Sequence, residues 1–400
     1  MTLAFLHLSL IVALLGAAWW IAAFVFFAFT SVGTLLQPWL QGRRATNEQT
    51  PPVSAILPIK LENPGFEEAQ QSIFAQRYPA YDVIFAATGA DPAVIAEVQK
   101  MIAAHSAIAA RVMQSSCEVA VSPKLNNLAT PLGEAAHDFV LTKDSNIVFE
   151  PETLSVFMQN FTSGVGLVVG VPVAEQPKGL AGQIEAFLLN GHARLLLTAS
   201  ALGLGFGVGK TMLFKRGDLE RAGGLESIAY TLAEDTALSR AFEKLGLKTV
   251  FAHRPLRQFI GKRSLREIYQ RQLRWAVIRR AHEPLTYPLE PLSSPLPAAI
   301  AAAFAAPLVG LSAFTAFAST LAIWFAVEIL IAWVKDWEVS VASLAGFVGR
   351  EILALTTWLQ AWTTKDVVWA DTRLDVFNGA REAPNSAAPL KEQRASADKG

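Results

Sequence analysis

Cysteine is almost absent from this 400-residue chain, where Cys117 stands alone. A single thiol excludes an internal disulfide and a cysteine metal cluster, and it fits a reducing compartment. The six histidines show no metal-ligand spacing. Net charge is missing too, because 34 basic residues balance 34 acidic ones, so there is no global basic footprint for nucleic acid. Charge of either sign is absent from Thr2 to Leu36. The apolar run inside that stretch, Leu3 to Phe29, exceeds the roughly 20 residues needed to cross a hydrocarbon core. It predicts one membrane helix, since it lacks a basic leader and is too long for a cleaved signal peptide.

Arg43 and Arg44 follow this run, and the positive-inside rule then places the next residues in the cytoplasm. Apolar content returns from Leu296 to Val334, broken by Pro307 and Gly310, and from Val339 to Trp362, broken by Arg350-Glu351. The first block is too long for one span and predicts two short helices. The charged pair in the second is expensive at bilayer depth unless it is paired, which leaves a span and an interfacial helix both open. Past Gly379 the tail mixes Pro, Ser, Ala and charge without periodicity and reads as disordered. The expected organisation is a membrane helix in 1–40, a soluble domain in 41–290, membrane helices in 291–365, and a short charged segment with the tail in 366–400. Scarce Cys and abundant Ala suit a bacterial inner membrane.

The soluble middle alternates strands and helices. Val53 to Lys60, Tyr81 to Thr88, a strand ending at Asp144 and Gly166 to Val173 read as strands. Pro64 to Ala75, Pro92 to Ala104 and Pro151 to Phe161 read as helices. This alternation predicts a mostly parallel α/β sheet, and ligands of such sheets bind beyond the carboxyl ends of the strands. Asp144, in Lys143-Asp144-Ser145-Asn146, stands at such an exit, where a carboxylate suits a divalent cation on a nucleotide diphosphate. Asp-Ser-Asn also makes an ordinary turn, and that reading stays open.

Glu234-Asp235 opens a helix to Leu245, so Asp235 is either a dipole-favoured first-turn acid or a general base beside an acceptor hydroxyl. Nine basic residues between Arg254 and Arg280 face one acid, Glu267, which suits anionic headgroups, a diphosphate or both. Arg271 and Arg274 lie three apart on one helix, hence on one face, and two guanidiniums can clamp a diphosphate; a solvated basic helix is the plainer alternative. Arg279 and Arg280, close to the next membrane block, read as headgroup contacts. Gly205 to Thr211 tempts a phosphate-loop reading, but Leu204 stands where that loop needs its first glycine, so a flexible segment is expected. His192, near Glu185 and Asn190, is the one histidine placed to reach a cleft.

Taken together, the order of these motifs is more specific than any one of them. Leu57-Pro58-Ile59-Lys60, Pro123-Lys124-Leu125-Asn126-Asn127-Leu128, Asp144-Ser145, Ala222-Gly223-Gly224, Ala233-Glu234-Asp235 and Arg271-Gln272-Leu273-Arg274-Trp275 resemble the ceramide glucosyltransferases. The likeness covers most of the chain, including the membrane segments and an aromatic, charged stretch from Lys365 to Leu374. It implies a GT-A fold with membrane helices at both ends. Asp235 then matches the family's catalytic base. Asp144 matches the aspartate near the metal (Mg2+ or Mn2+) and diphosphate, and Arg271, Arg274 and Trp275 match the Q/R-x-x-R-W signature. Lys124, Asn127 and His192 fall with the donor pocket. The family's first acidic cluster is reduced here to Asp91.

The resemblance implies inverting transfer of glucose from UDP-glucose to ceramide on a cytoplasmic membrane face. UDP-galactose as donor, a hopanoid as acceptor, and processive polysaccharide synthesis stay open as alternatives.

Overall fold

The computed structural model of the chain describes residues 2–116, 118–369 and 372–376; Cys117 and the tail expected to be disordered lie outside them. Two compact units are present. One comprises Met1–Leu40, Val173–Leu202 and Ile260–Thr364, the other Gln41–Pro172, Gly203–Phe259 and Lys365–Gly400. In chain order the strands used below are β1 (Val53–Pro58), β2 (Tyr81–Ala86), β3 (Ala110–Met113), β4 (Phe139–Lys143), β5 (Ile147–Val148), β6 (Val165–Val169), β7 (Pro172–Lys178), β8 (Thr211–Lys215), β9 (Lys248–Phe251) and β10 (Leu256–Lys262). The helices are α1 (Thr2–Gly42), α2 (Phe66–Phe74), α3 (Pro92–Ala104), α4 (Pro123–Gly133), α5 (Thr153–Asn160), α6 (Gly179–Ala201), α7 (Arg216–Arg221), α8 (Glu234–Lys244), α9 (Leu265–His282), α10 (Pro295–Ala305), α11 (Ala313–Val334) and α12 (Ser343–Ala361).

The second unit is built on a seven-stranded sheet of order β3-β2-β1-β4-β8-β6-β9. Every strand but β8 runs the same way. The result is a mixed α/β sheet, parallel except at one strand. Strands β1 and β2 are nearly continuous apolar runs because helices cover both faces of a parallel sheet, and Ile56, Leu57, Ile84 and Phe85 are fully buried. Local signals set the helix starts. Asp91 caps α3 through Ala93 N–H at 2.8 Å, and Ser122 caps α4, each with Pro at the first turn, where a missing N–H costs nothing.

The reversed strand decides where the polar residues go. Since β8 pairs antiparallel to β4 with Lys143 opposite Thr211, its beginning lies at the carboxyl end of β4. Lys210 therefore arrives beside Asp144, whose backbone N–H donates to Lys210 O at 2.9 Å. Near the end of the described chain, Asp366–Trp369 and Thr372–Asp375 pair as an antiparallel hairpin.

In the first unit, His7–Gly42 of α1 and Ala313–Val334 are long and apolar enough to cross a membrane, and the pair Tyr287–Ser293 and Pro295–Val309, bent by 76°, would add a third span. The break expected at Pro307 and Gly310 is a short 3-10 turn, Ala306–Val309, between α10 and α11. Packing between α1 and α6 is close. A Cβ on Gly33 would meet Thr198 Cγ2 at 2.5 Å, so a small residue sets the helix spacing. Helix α12 holds the Arg350-Glu351 pair, and both side chains are buried and partnered. Arg350 donates to Glu328 Oε2 at 2.8 Å and to Glu351 Oε1 at 2.6 Å, which offsets the desolvation that an unpaired charge would suffer.

Candidate active site

Asp144 follows β4, where alternation along a strand sends successive side chains to opposite faces. Its neighbour Lys143 turns into the core and donates to Ala69 O at 2.7 Å, and burial pulls that ammonium down to about 7. Asp144 turns to the sheet mouth instead. Lys124 Nζ, from the first turn of α4, stands 2.6 Å from Asp144 Oδ1, and Lys210 Nζ stands 3.1 Å from Oδ2. Burial alone would raise the Asp144 carboxyl, but Lys124 and Lys210 outweigh it and hold the group below its ordinary value. The same balance keeps Lys124 charged. Burial works against its ammonium, yet Asp144, Glu234 and Asp235 hold it above the ordinary lysine value.

The loop before β8 ties this group to Asp235. Lys124 Nζ also donates to Gly209 O, and Gly209 N–H donates to Asp235 Oδ2 at 2.6 Å. Asp235 Oδ1 accepts from Thr236 N–H at 2.7 Å. Gly207 packs against the peptide after Asp235 so closely that a Cβ there would lie 1.9 Å from Asp235 O. The segment expected to be flexible is thus a packed support for Asp235. Glu234, beside it, is buried, and desolvation together with Asp235 pushes its carboxyl up to about 7 against the pull of Lys124.

The remaining residues expected in this unit take positioning roles. Asn127 accepts from Thr88 N–H at 2.8 Å and donates to Ala86 O at 2.8 Å, fastening the exit of β2 to α4. Asn126 makes the matching pair of bonds with Ala120. Asp91, expected at the donor, caps α3 through one carboxylate oxygen.

His192, Arg271, Arg274 and Trp275 belong to the other unit. Helix α9 starts with a capping box between Ser264 and Glu267. Its Arg271 pairs with Glu185 of α6, which also takes Arg263 at 2.9 Å; the Glu185 side chain is only 3% exposed. Burial and the neighbouring Arg271 draw Arg274 down to about 10. Desolvation, Arg279 and Arg350 push the His192 ring down to about 3, so it is neutral at physiological pH. Part of the basic stretch has partners within the chain. Arg257 pairs with Glu150 and Arg279 with Glu290, while Arg280 donates to Trp362 O and Thr364 O.

Lys210, Glu185 and Gly207 were not singled out from the sequence for these roles. The one available signal was the Gly-Lys-Thr run entering a strand. No residue pattern announced the partner of Arg271, because Glu185 is separated from it by most of the fold's middle.

A divalent cation at Asp144 needs a carboxylate whose negative charge is not already met by other cations. Both oxygens of Asp144 accept from ammonium groups instead. Among the described residues no group of three or more His, Cys, Asp and Glu is placed to hold a metal. A dication on Asp144 would also meet two ammoniums, and like unit charges at 4 Å repel by about 4 kcal/mol near a protein surface. The donor set as arranged does not fit a protein-held divalent cation.

The family model described as glycosyl transferase family 21 matches residues 18–382. Ceramide glucosyltransferase 1 of Caenorhabditis elegans is 24% identical over 358 residues, which are 88% of this chain and 77% of that protein. Ceramide glucosyltransferase 3 of the same organism is 24% identical over 70% of this chain and 61% of its own length. Among solved structures, a mannosyltransferase from Pyrobaculum calidifontis in complex with GDP-Man and Mn2+ matches with TM-score 0.48 and 18% identity, covering 84% of this chain and 99% of that one.

Proposed function

Since the chain belongs to glycosyl transferase family 21, we propose that this glycosyltransferase moves glucose from UDP-glucose to the primary hydroxyl of ceramide, with inversion, on the cytoplasmic face of a membrane. The observation that carries the reading is the linked pair Asp144 and Asp235, joined through Gly209 and Lys124 at the carboxyl end of β4 in a mostly parallel sheet. Relatives named for ceramide glucosylation supply the substrates. Membrane-length helices in the same chain suit an acceptor with apolar tails.

In this mechanism Asp235 accepts the proton of the attacking hydroxyl. Its two oxygens are aimed by Gly209 N–H and Thr236 N–H, so one lone pair on each remains for the acceptor. Burial pushes the neighbouring Glu234 carboxyl up to about 7, so near neutral pH it carries only part of a negative charge. Arg271, Arg274 and Trp275 take the role of stabilising the departing nucleotide, a role supported by their signature.

The test is transfer from labelled UDP-glucose to a short-chain ceramide by the purified chain, with the product identified by mass spectrometry. Asp235→Asn should lower turnover by about 10²-fold or more, the scale of a positioned base, with UDP binding retained. Normal turnover in that variant removes Asp235 from the role. Cysteine introduced at Gln99, in a chain lacking Cys117, should resist an impermeant label in intact cells and react once they are opened; the reverse would invert the proposed topology.

A further inference from the structure

The sheet mouth presents two ammoniums to one carboxylate. Lys124 reaches it from the first turn of α4, and Lys210 from the residue before β8. These elements are fixed independently, α4 by its Ser122 cap and β8 by its ladder with β4. The two nitrogens therefore bracket Asp144 without depending on each other. All three side chains keep some access to solvent, at 15% for Lys124 and 21% for Lys210 and Asp144. A lysine ammonium has three N–H donors. Lys124 spends two of them, on Asp144 Oδ1 and Gly209 O.

We propose that Lys124 and Lys210 do the work of a divalent cation, holding the diphosphate of the nucleotide sugar and taking up the charge that forms on it. This inference rests on the UDP-sugar reading above. In the step concerned, the bond between the anomeric carbon and the β-phosphate oxygen breaks, and its electron pair stays on that oxygen, beside the ammoniums. The acceptor oxygen forms the new bond to the anomeric carbon, and its proton passes to Asp235. Nothing further is needed for balance.

Asp144 is then a positioning residue. It neutralises part of the lysine charge while the donor is away and holds both nitrogens at one spacing. Fixed positive groups placed where charge develops stabilise a transition state without reorganisation. A dication would have to displace both lysines from Asp144, whereas a diphosphate needs only the donors that face it.

The experiment measures UDP binding and glucosyl transfer by the purified full-length chain in nanodiscs, in EDTA and in titrations of Mg2+ and Mn2+. Wild-type turnover should change by less than about twofold between EDTA and saturating Mg2+. Lys210→Met should weaken UDP binding in EDTA by about tenfold or more, and Lys210→Arg should restore most of it, because a lysine binds phosphate as a point charge and arginine also supplies that charge. Thermal unfolding of each variant shows that the domain is intact. Asp144→Asn should perturb UDP affinity without creating a cation requirement.

Wild-type protein that binds UDP only when Mg2+ or Mn2+ is added overturns the proposal and leaves the glucosyltransferase reading standing. Lys210→Met that binds UDP like wild type in EDTA also overturns it. Absence of transfer from any UDP-sugar, with or without cation, defeats the parent reading instead.

Discussion

Replacing Gly207 by alanine tests whether the loop before β8 supports Asp235. A Cβ at this position would stand 1.9 Å from Asp235 O, 2.1 Å from its carbonyl carbon and 2.6 Å from Thr236 N. Ordinary contact begins at 3.4 Å, so either the loop or the first turn of α8 must retreat by roughly 1.5 Å. Backbone on both sides leaves no flexible side chain to absorb the movement. A displacement of about 1 Å in a positioned group can cost about 10²-fold in rate, and overpacking of this kind costs about 1–3 kcal/mol of stability. Gly209→Ala is the control, because its Cβ would meet Asp235 Oδ2 at 3.2 Å and Cβ at 3.5 Å, which small adjustments relieve. Glucosyl transfer and thermal unfolding should be measured on both variants. Gly207→Ala should lose about 10²-fold in turnover while Gly209→Ala stays within about fivefold of wild type. A folded Gly207→Ala enzyme of near-normal activity would show that Asp235 needs no support from this loop.

Other expectations follow from ion pairs and buried acids. Because Glu234 is held near 7, above the ordinary carboxyl value of 4.5, its stabilising contribution is complete below 4.5 and lost as pH rises through about 7. Unfolding midpoints of wild type should fall across that window, and Glu234→Gln should flatten the slope; an unchanged slope refutes the assignment. Glu185→Ala leaves Arg263 and Arg271 without their shared buried partner and should destabilise by about 3–5 kcal/mol, whereas loss of the half-exposed Glu290, partner of Arg279, should cost about 1 kcal/mol or less. Equal shifts in the two melting curves would contradict the burial argument. Arg271→Lys keeps charge but loses the planar fork, so turnover should drop more than for Arg280→Lys under saturating UDP-glucose; equal losses would return α9 to a structural role.

Much of the architecture was legible in the residues because it depends on short-range chemistry. The helix expected over Pro92 to Ala104 has those bounds. Capping residues, Pro at helix starts and apolar runs act within a few positions of themselves. Apolar length likewise marks α1 and α11 as able to cross a membrane, and strand exits pointed to Asp144. Pairings between distant segments had no such signature. The sheet reverses direction at β8 alone, which delivers Lys210 to Asp144 across 66 residues. Gly207, unremarkable in sequence, has its role only because α8 packs onto it. Within the basic run from Arg254 to Arg280, which looked available to outside anions, Arg257 meets Glu150, Arg263 and Arg271 share Glu185, and Arg279 meets Glu290. Composition along the chain determined which segments could be strand, helix or span, since those preferences are local. Which charge faces which was decided by tertiary packing, because electrostatic partners are chosen by distance in space and by burial, and neither is written into sequence separation.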